Sequence, residues 1–320
     1  MANLDDEKLI NQELFLDNPG RKIISFKDSS WGELILPAPD ECTGKAKEGF
    51  RILVFASFLL GYLFLETLKE LERRNPGKIN IVGLVTDDPA NLKARISAEK
   101  RIWRLFDMKK KVQLERVMIE SALAFGIPCF TGDVKTESFR KLLAGCNPQA
   151  ILVCVFGQIL DQPITDYPAF GIYNFHPADL VSHHGAGPKP YEDLIARQAE
   201  CSKVTVHRVT KEVDAGPVVG QSPPINVRLK NGGVTNDVLV INDKMLVPID
   251  RMAACMVSEL VCKWDRGESG CLEGLNFEDL FPPEYKDKLM QPIDDDIPQA
   301  ELPLLEGEVK FVIDPNRMQS

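Results

Sequence analysis

Apolar runs at regular intervals along the chain predict a series of buried strands. Arg51 to Ala56, Ile79 to Thr86 and Ile151 to Phe156 are mostly apolar, as expected of strands that are covered on both faces of a sheet. Between them, Tyr62 to Arg74 and Val112 to Phe125 carry apolar residues at helical spacing. Strands that alternate with helices predict an α/β fold, with a mostly parallel twisted sheet flanked by helices.

The two flanks of this core have different patterns. Lys22 to Phe26 and Glu33 to Leu36 predict a short N-terminal β-hairpin. Lys244 to Trp264 carries an apolar stripe typical of one long helix. The chain from Gly267 onwards is acidic and rich in proline, which predicts an irregular tail. We therefore predict an N-terminal extension (1–50), a central α/β domain (51–225) and a C-terminal helix with an acidic tail (226–320).

The N-terminal hairpin has two interpretations. We expect it to pack against the central domain. The alternative is that it is a dimer-forming arm, in which case the protein is a homo-oligomer.

Composition and charge narrow the classes of function. The chain has 320 residues, 44% hydrophobic and 27% charged, with a net charge of −9, which is typical of a globular protein. An acidic chain of this kind is not expected to bind nucleic acid. The uncharged run from Ile52 to Leu65 has 14 residues. A membrane-spanning helix needs about 20, so we expect no membrane segment.

The eight cysteines form no Cys-x-x-Cys pair, and several lie in apolar runs. This pattern predicts reduced, buried thiols and a cytoplasmic protein rather than disulfides or a zinc site.

A basic stretch stands out from the acidic background. Residues 93–111 carry eight basic and two acidic side chains, a net +6, so the rest of the chain sums to −15 (−9 − 6). A solvated helix face is one interpretation. A binding surface for an anionic substrate, which would include Lys109, Lys110 and Lys111, is the other. The sequence leaves both open.

Candidate chemistry is concentrated between Ile151 and Gln221. Asn174 and His176 are separated by one residue, so their side chains point to the same side of an extended segment. An amide can donate a hydrogen bond to a developing oxyanion, and a histidine can move protons near neutral pH. Asp214 could orient the histidine or take a proton. From these residues alone, a structural Asn and His is the simpler explanation.

All four histidines of the chain lie in this stretch: His176, His183, His184 and His207. Adjacent His183 and His184 point apart in an extended loop, so they cannot easily serve one metal. His207 fits a strand and is predicted to be a hydrogen-bonded core residue. We predict no metal site.

Five short motifs occur in order within this stretch. They are Val155-Phe156-Gly157-Gln158-Ile159-Leu160, Asn174-Phe175-His176-Pro177, Gly185-Ala186-Gly187-Pro188, Val204-Thr205-Val206-His207 and Asp214-Ala215-Gly216-Pro217. In this order and spacing they resemble the folate-dependent formyltransferase family. That family includes glycinamide ribonucleotide transformylase, methionyl-tRNA formyltransferase and the sugar N-formyltransferases. The resemblance covers residues 51–225.

The resemblance implies an enzyme that uses 10-formyltetrahydrofolate as its formyl donor and needs no metal. The implied catalytic residues are Asn174, His176 and Asp214. The residues implied to bind the folate are Phe156, Gly157, Gln158, Ile159 and Leu160, which line an apolar pterin slot, and Val213, Ala215 and Gly216 beside Asp214. Those expected to contact the acceptor are His184, Gly185, Lys109, Lys110 and Lys111.

The chain departs from the family pattern on the acceptor side. The family usually reads Ser-Leu-Leu-Pro after His-Pro, whereas Ala178-Asp179-Leu180-Val181 stands here, and His184 replaces a frequent Arg. The partner is therefore predicted only as the amine of a small, anionic molecule, for example a nucleotide-linked amino sugar. A 10-formyltetrahydrofolate hydrolase and a non-catalytic folate-binding protein are the alternatives.

Overall fold

The computed structural model describes residues 18–28, 31–88, 94, 108–235 and 238–294. These residues form two compact units. The first contains the described residues up to Pro168, and the second contains those from Ala169 onwards. The predicted three-part division at residues 50 and 225 stays a prediction.

The first unit is built on strands whose central members are parallel. In chain order, its described strands are β1 (Lys22–Ser25), β2 (Glu33–Leu36), β3 (Phe50–Ala56), β4 (Ile79–Thr86), β5 (Cys129–Thr131) and β6 (Ala150–Cys154). They lie side by side in the order β1-β2-β5-β4-β3-β6. β3 pairs in parallel with β4 and β6, and β4 with β5. The β1–β2 and β2–β5 pairs are antiparallel.

The described helices of this unit are α1 (Phe58–Arg74), α2 (Met108–Ala124), α3 (Glu137–Cys146) and α4 (Gln162–Thr165). α3 shows why one of them begins and ends where it does. Thr136 Oγ1 accepts the Phe139 N–H at 3.2 Å as an N-cap. Asn147 follows the helix at φ +43°, a left-handed conformation that Asn tolerates. The parallel central strands and the alternating helices confirm the predicted α/β fold class.

The second unit is built on antiparallel strands. Its described strands are β7 (Ile172–His176), β8 (Cys201–Ser202), β9 (Thr205–Arg208), β10 (Val218–Gln221) and β11 (Ile225–Asn226). β9 lies between β7 and β10, and β8 pairs with β11. The described helices are α5 (Pro190–Ala196), α6 (Val238–Leu246), α7 (Ile249–Asp265) and α8 (Pro283–Met290), with a 3-10 turn at Phe277–Leu280.

The prediction of one helix from Lys244 to Trp264 is wrong. α6 ends at Leu246 and α7 begins at Ile249. Pro248 breaks the helix because proline has no N–H to donate and its ring crowds the preceding turn. Between the two helices, the Val247 carbonyl accepts a hydrogen bond from the Tyr285 hydroxyl at 2.7 Å.

Two further predictions need correction. α1 begins at Phe58, four residues before the predicted start at Tyr62. The acidic tail was predicted to be irregular, but it contains the 3-10 turn and the helix α8. Residues 295–320 of that tail lie outside the described part of the chain. Within the described part, no helix is long and apolar enough to cross a membrane.

Candidate active site

Three polar side chains lie on one face of the β7–β9 pair. Asn174 and His176 are two residues apart on β7, so both point to the same face. β9 pairs with β7 in antiparallel register, with His207 opposite Asn174 and Thr205 opposite His176. Side chains directly opposite each other in an antiparallel pair are neighbours. The register therefore brings His207 to the two predicted catalytic residues.

Asp214 lies in the loop between β9 and β10. Its backbone is left-handed, with φ +52°, a conformation that Asp adopts more readily than most residues. The Arg208 N–H donates to the Pro217 carbonyl at 2.9 Å across the turn. A Cβ atom at Gly216 would lie only 1.9 Å from the Arg208 carbonyl oxygen. Gly216 is thus required for the turn that presents Asp214.

The Asp214 carboxylate contacts all three side chains of this face. Its Oδ1 lies 3.4 Å from both Asn174 Nδ2 and His207 Nε2. Its Oδ2 accepts the Gly187 N–H at 2.7 Å and lies 3.6 Å from His176 Nδ1. Asn174 Nδ2 is also 3.1 Å from His207 Nε2. One carboxylate is therefore flanked by two imidazole rings and one amide.

Asp214 is held in its ionised form. Burial opposes ionisation, but contacts with His207, with His176 and with the Gly187 N–H outweigh that effect. Together they hold the pKa of Asp214 well below its usual range. The site therefore contains a fixed negative charge at neutral pH.

Hydrogen bonds indicate which nitrogen of each ring carries a proton. His176 Nε2 lies 2.7 Å from the Gly185 carbonyl oxygen, and His207 Nδ1 lies 2.9 Å from that of Arg208. A carbonyl oxygen only accepts, so both nitrogens carry N–H groups. When the ring is neutral, His207 Nε2 accepts the Asn174 amide N–H; when the ring is protonated, Nε2 donates to Asp214 Oδ1. His176 Nδ1 is the nitrogen that faces Asp214.

A separate network holds the turn that follows His176-Pro177. Thr205 Oγ1 donates to the Ala178 carbonyl at 2.6 Å. Gln221 Nε2 donates to Asp179 Oδ1 at 2.8 Å and to Thr205 Oγ1 at 2.9 Å. Asp179, one of the departures from the family pattern, is therefore part of the support of this turn.

His207 is the residue of this cluster that sequence reasoning left outside the site. It is buried, as expected of a core residue, yet its Nε2 faces Asn174 and Asp214. The sequence pattern predicted that His207 lies in a strand. Only the register with β7 shows which residue it meets.

The predicted folate-binding residues lie in both units. Phe156 to Leu160 follow β6 in the first unit, where Ile159 is 42% exposed. Val213, Ala215 and Gly216 flank Asp214 in the second unit, and Val213 is 55% exposed. The folate site that these residues are predicted to form stays a prediction.

The predicted acceptor residues are described only in part. His184 and Gly185 lie in the loop after β7, and Gly185 provides the carbonyl that His176 contacts. The first turn of α2 contains Lys109, Lys110 and Lys111. Of the basic stretch before α2, only Ala94 lies within the described residues. The described residues contain no group of three or more His, Cys, Asp or Glu side chains that could hold a metal ion.

Comparison with known protein families gives a match over the part of the chain that contains the motifs. The family model described as formyl transferase matches residues 50–248. The chain belongs to the formyl transferase family. This range includes every motif on which the predicted resemblance rests, and it confirms the predicted family.

Individual relatives match shorter parts of the chain. The methionyl-tRNA formyltransferase of Bifidobacterium adolescentis is 34% identical over 103 residues, which are 32% of this chain and 32% of the relative. That of Thermotoga neapolitana is 31% identical over 97 residues, 30% of each chain. The chain thus spans about a third of the length of these curated relatives. Since both are named for tRNA, the predicted exclusion of a nucleic-acid partner is not supported.

A solved structure is similar over a larger share. Phosphoribosylglycinamide formyltransferase from Anaplasma phagocytophilum is 20% identical, with a TM-score of 0.49, and covers 72% of this chain and 98% of its own.

Proposed function

We propose that this chain transfers a formyl group from 10-formyltetrahydrofolate to an amine. The observation that carries the proposal is the cluster around Asp214, which lies 3.4 Å from the Asn174 amide and 3.6 Å from the His176 ring. An amide donor, a proton-transferring imidazole and an ionised carboxylate are the groups that acyl transfer uses. Membership of the formyl transferase family supports formyl as the transferred group.

The proposed reaction exchanges one carbon–nitrogen bond for another. The acceptor nitrogen forms a bond to the formyl carbon, and the bond from that carbon to N10 of the folate breaks. The acceptor nitrogen loses one proton and N10 gains one. The products are a formamide and tetrahydrofolate.

Each residue of the cluster has a role in this proposal. Asn174 donates an N–H group to the formyl oxygen as it gains negative charge, and His176 does so when its Nε2–H exchanges the Gly185 carbonyl for that oxygen. His176 also moves the proton released by the acceptor nitrogen towards N10. The low pKa of Asp214 makes it a weak base. Asp214 therefore acts mainly by orienting His176 and by stabilising positive charge on that ring.

The donor would contact residues that are partly exposed in this structure. Ile159 and Val213 are large apolar side chains that are 42% and 55% exposed, and an aromatic pterin ring can cover such surface. The backbone groups around Ala215 and Gly216 could bind its polar edge. We propose these residues, with Phe156, Gly157, Gln158 and Leu160, as the folate site.

The acceptor is proposed by charge rather than by shape. A net +6 over residues 93–111 in an otherwise acidic chain favours an anionic amine, such as a nucleotide-linked amino sugar. An aminoacyl-tRNA is also anionic, and the names of the relatives make it a necessary member of the test panel. The cytoplasmic location predicted from the cysteines and a homo-oligomeric state stay predictions.

The test is a formyl-transfer assay with the purified chain and 10-formyltetrahydrofolate. Release of tetrahydrofolate that requires an amine from a panel of amino-sugar nucleotides, glycinamide ribonucleotide and methionyl-tRNA would support the proposal. Formate release without any amine would replace it with a hydrolase. Folate binding with no turnover in either assay would indicate a non-catalytic binding protein. Absence of folate binding would refute the folate assignment itself.

A further inference from the structure

Buried polar side chains lie where adjacent parallel strands of the first unit end. Ser57 follows β3, and Asp87 follows Thr86 at the end of β4; all three are buried. Ser57 Oγ donates to Asp87 Oδ2 at 3.2 Å, and the Asp87 N–H donates to Ser57 Oγ at 3.1 Å. This reciprocal pair ties two strand ends together. The carboxyl ends of parallel strands are where α/β folds bind their ligands.

The same carboxylate also holds the chain segment that follows β6. Asp87 Oδ2 accepts the N–H of Gly157, the glycine in the middle of the predicted pterin-binding motif. One buried carboxylate therefore joins the ends of β3, β4 and β6.

The segment around Gly157 is constrained from a second side. The Gln158 Nε2 group donates to the Gly132 carbonyl at 2.9 Å, and its Oε1 accepts the Val134 N–H at 3.1 Å. Val155, at the start of the segment, has φ +57°. A left-handed backbone is costly for a β-branched residue and persists only where its surroundings hold it. Asp87 and Gln158 are the contacts that hold it here.

A second buried carboxyl group lies beside this cluster. Glu115 of α2 is fully buried and makes a 2.7 Å hydrogen bond with Thr86 Oγ1. Burial, together with the nearby charges of Asp88 and Asp87, raises the pKa of Glu115 well above its usual value. Glu115 therefore supports the end of β4 through Thr86, in surroundings that favour its neutral form.

We propose that Asp87 is a positioning residue for donor binding: its carboxylate fixes the Gly157 backbone so that Phe156 to Leu160 present a preformed edge to the folate. This inference rests on the proposed function. Asp87 acts through Gly157 and not on the reacting atoms. A preformed edge lowers the ordering cost of binding, so its loss affects donor affinity more than the chemical step.

The test compares donor binding and turnover in Asp87→Ala, Asp87→Asn and Ser57→Ala. Asp87→Ala leaves the buried Gly157 N–H without its acceptor, which predicts a donor Kd and KM raised about 10- to 100-fold, with kcat changed less than about threefold. Asp87→Asn, whose amide oxygen still accepts the Gly157 N–H, should recover part of the affinity. Donor Kd is measured with a non-reactive folate analogue.

Asp28→Ala is the matched control, because the Asp28 carboxylate also accepts a backbone N–H, that of Ser138 at 2.8 Å, but at an exposed position. Its donor Kd should equal that of the parent. If Asp87→Ala does not fold, Ser57→Ala and Asp87→Asn must still raise the Kd. Folded Asp87 variants that bind the analogue like the parent, or that lose only kcat, would overturn the inference. A parent chain that binds no folate would instead refute the proposed function.

Discussion

At the scale of single residues, the candidate site depends on the number of hydrogens that each group can donate. When the His207 ring is neutral, both N–H hydrogens of the Asn174 amide have acceptors in this structure, His207 Nε2 and Asp214 Oδ1. These contacts fix the orientation of the amide. An Asn174 N–H can reach a substrate oxygen only by exchanging one of these partners, and the 3.4 Å contact with Asp214 is the longer and weaker one.

The first prediction concerns the charge of Asp214. Asp214→Asn keeps the shape of the side chain but removes the negative charge between the two imidazole rings. We expect turnover to fall by about 10²- to 10⁴-fold, the scale of lost acid–base assistance. Binding of a folate analogue should largely survive. Steady-state kinetics and analogue titration measure the two effects, and near-normal turnover would contradict the assignment.

The second prediction concerns the Asn174 amide. If its N–H stabilises the developing oxyanion, Asn174→Ala should lose about 2.7–4 kcal/mol of transition-state stabilisation. The loss should appear in kcat, with little change in KM. A change confined to KM would instead indicate that Asn174 binds substrate. His183→Ala, in the exposed loop, is the control and should leave kcat unchanged.

At the scale of elements, the sequence predicts strands and helices well where apolar residues are periodic. β4 was predicted with its observed limits, Ile79 to Thr86, and β3 within one residue. Errors occur where one residue overrides the pattern. β6 ends at Cys154, although the apolar run continues to Phe156, because Val155 turns into the left-handed region. Pro248 divides a continuous apolar stripe into two helices.

The part of the site that could not be predicted depends on strand register. The motif spacing identified Asn174, His176 and Asp214 as candidates. The contact of His207 with Asn174 follows from the pairing of β7 with β9, and a shift by one residue would turn His207 to the other face. Likewise, the contact of Asp87 with Gly157 joins residues 70 apart in sequence. No local pattern contains such information.

The third prediction concerns Glu115, the buried carboxyl group that connects α2 to the end of β4. The pKa of Glu115 is raised above 4.5 in the folded chain, so the folded state binds this proton more tightly than the unfolded state does. Stability should therefore fall as the pH rises from about 4.5 towards the folded pKa, by about 1.4 kcal/mol for each tenfold difference in proton affinity. Glu115→Gln cannot ionise and should escape this loss.

Denaturant unfolding at several pH values measures this effect. Glu115→Gln should be more stable than the parent at pH 8, and the difference should shrink as the pH approaches 4.5. Glu137→Gln, at an exposed position of α3, is the control and should show no such trend. A stability difference that does not vary with pH would indicate that Glu115 is already ionised at every pH tested.

At the scale of the whole molecule, charge is distributed unevenly. The chain has a net charge of −9, but residues 93–111 carry +6. In the sequence, this basic stretch follows β4 and ends in the first turn of α2. The carboxyl ends of parallel strands are the usual ligand side of an α/β sheet. An anionic acceptor would be attracted to this stretch and repelled by the rest of the chain.

The fourth prediction tests that distribution. Lys109→Glu, Lys110→Glu and Lys111→Glu combined should weaken acceptor binding, and the loss should shrink as salt rises, because the Debye length falls from about 10 Å at 0.1 M to about 3 Å at 1 M. Donor binding should change less.

Reversal of three exposed lysines elsewhere, Lys135, Lys141 and Lys211, is the matched control, since both triple variants have a net charge of −15 (−9 − 6). If position matters, only the first variant loses acceptor affinity at low salt. Equal losses would mean that the overall charge of the molecule governs binding. If both variants match the parent at every salt concentration, the stretch is a solvated helix face and the acceptor need not be anionic.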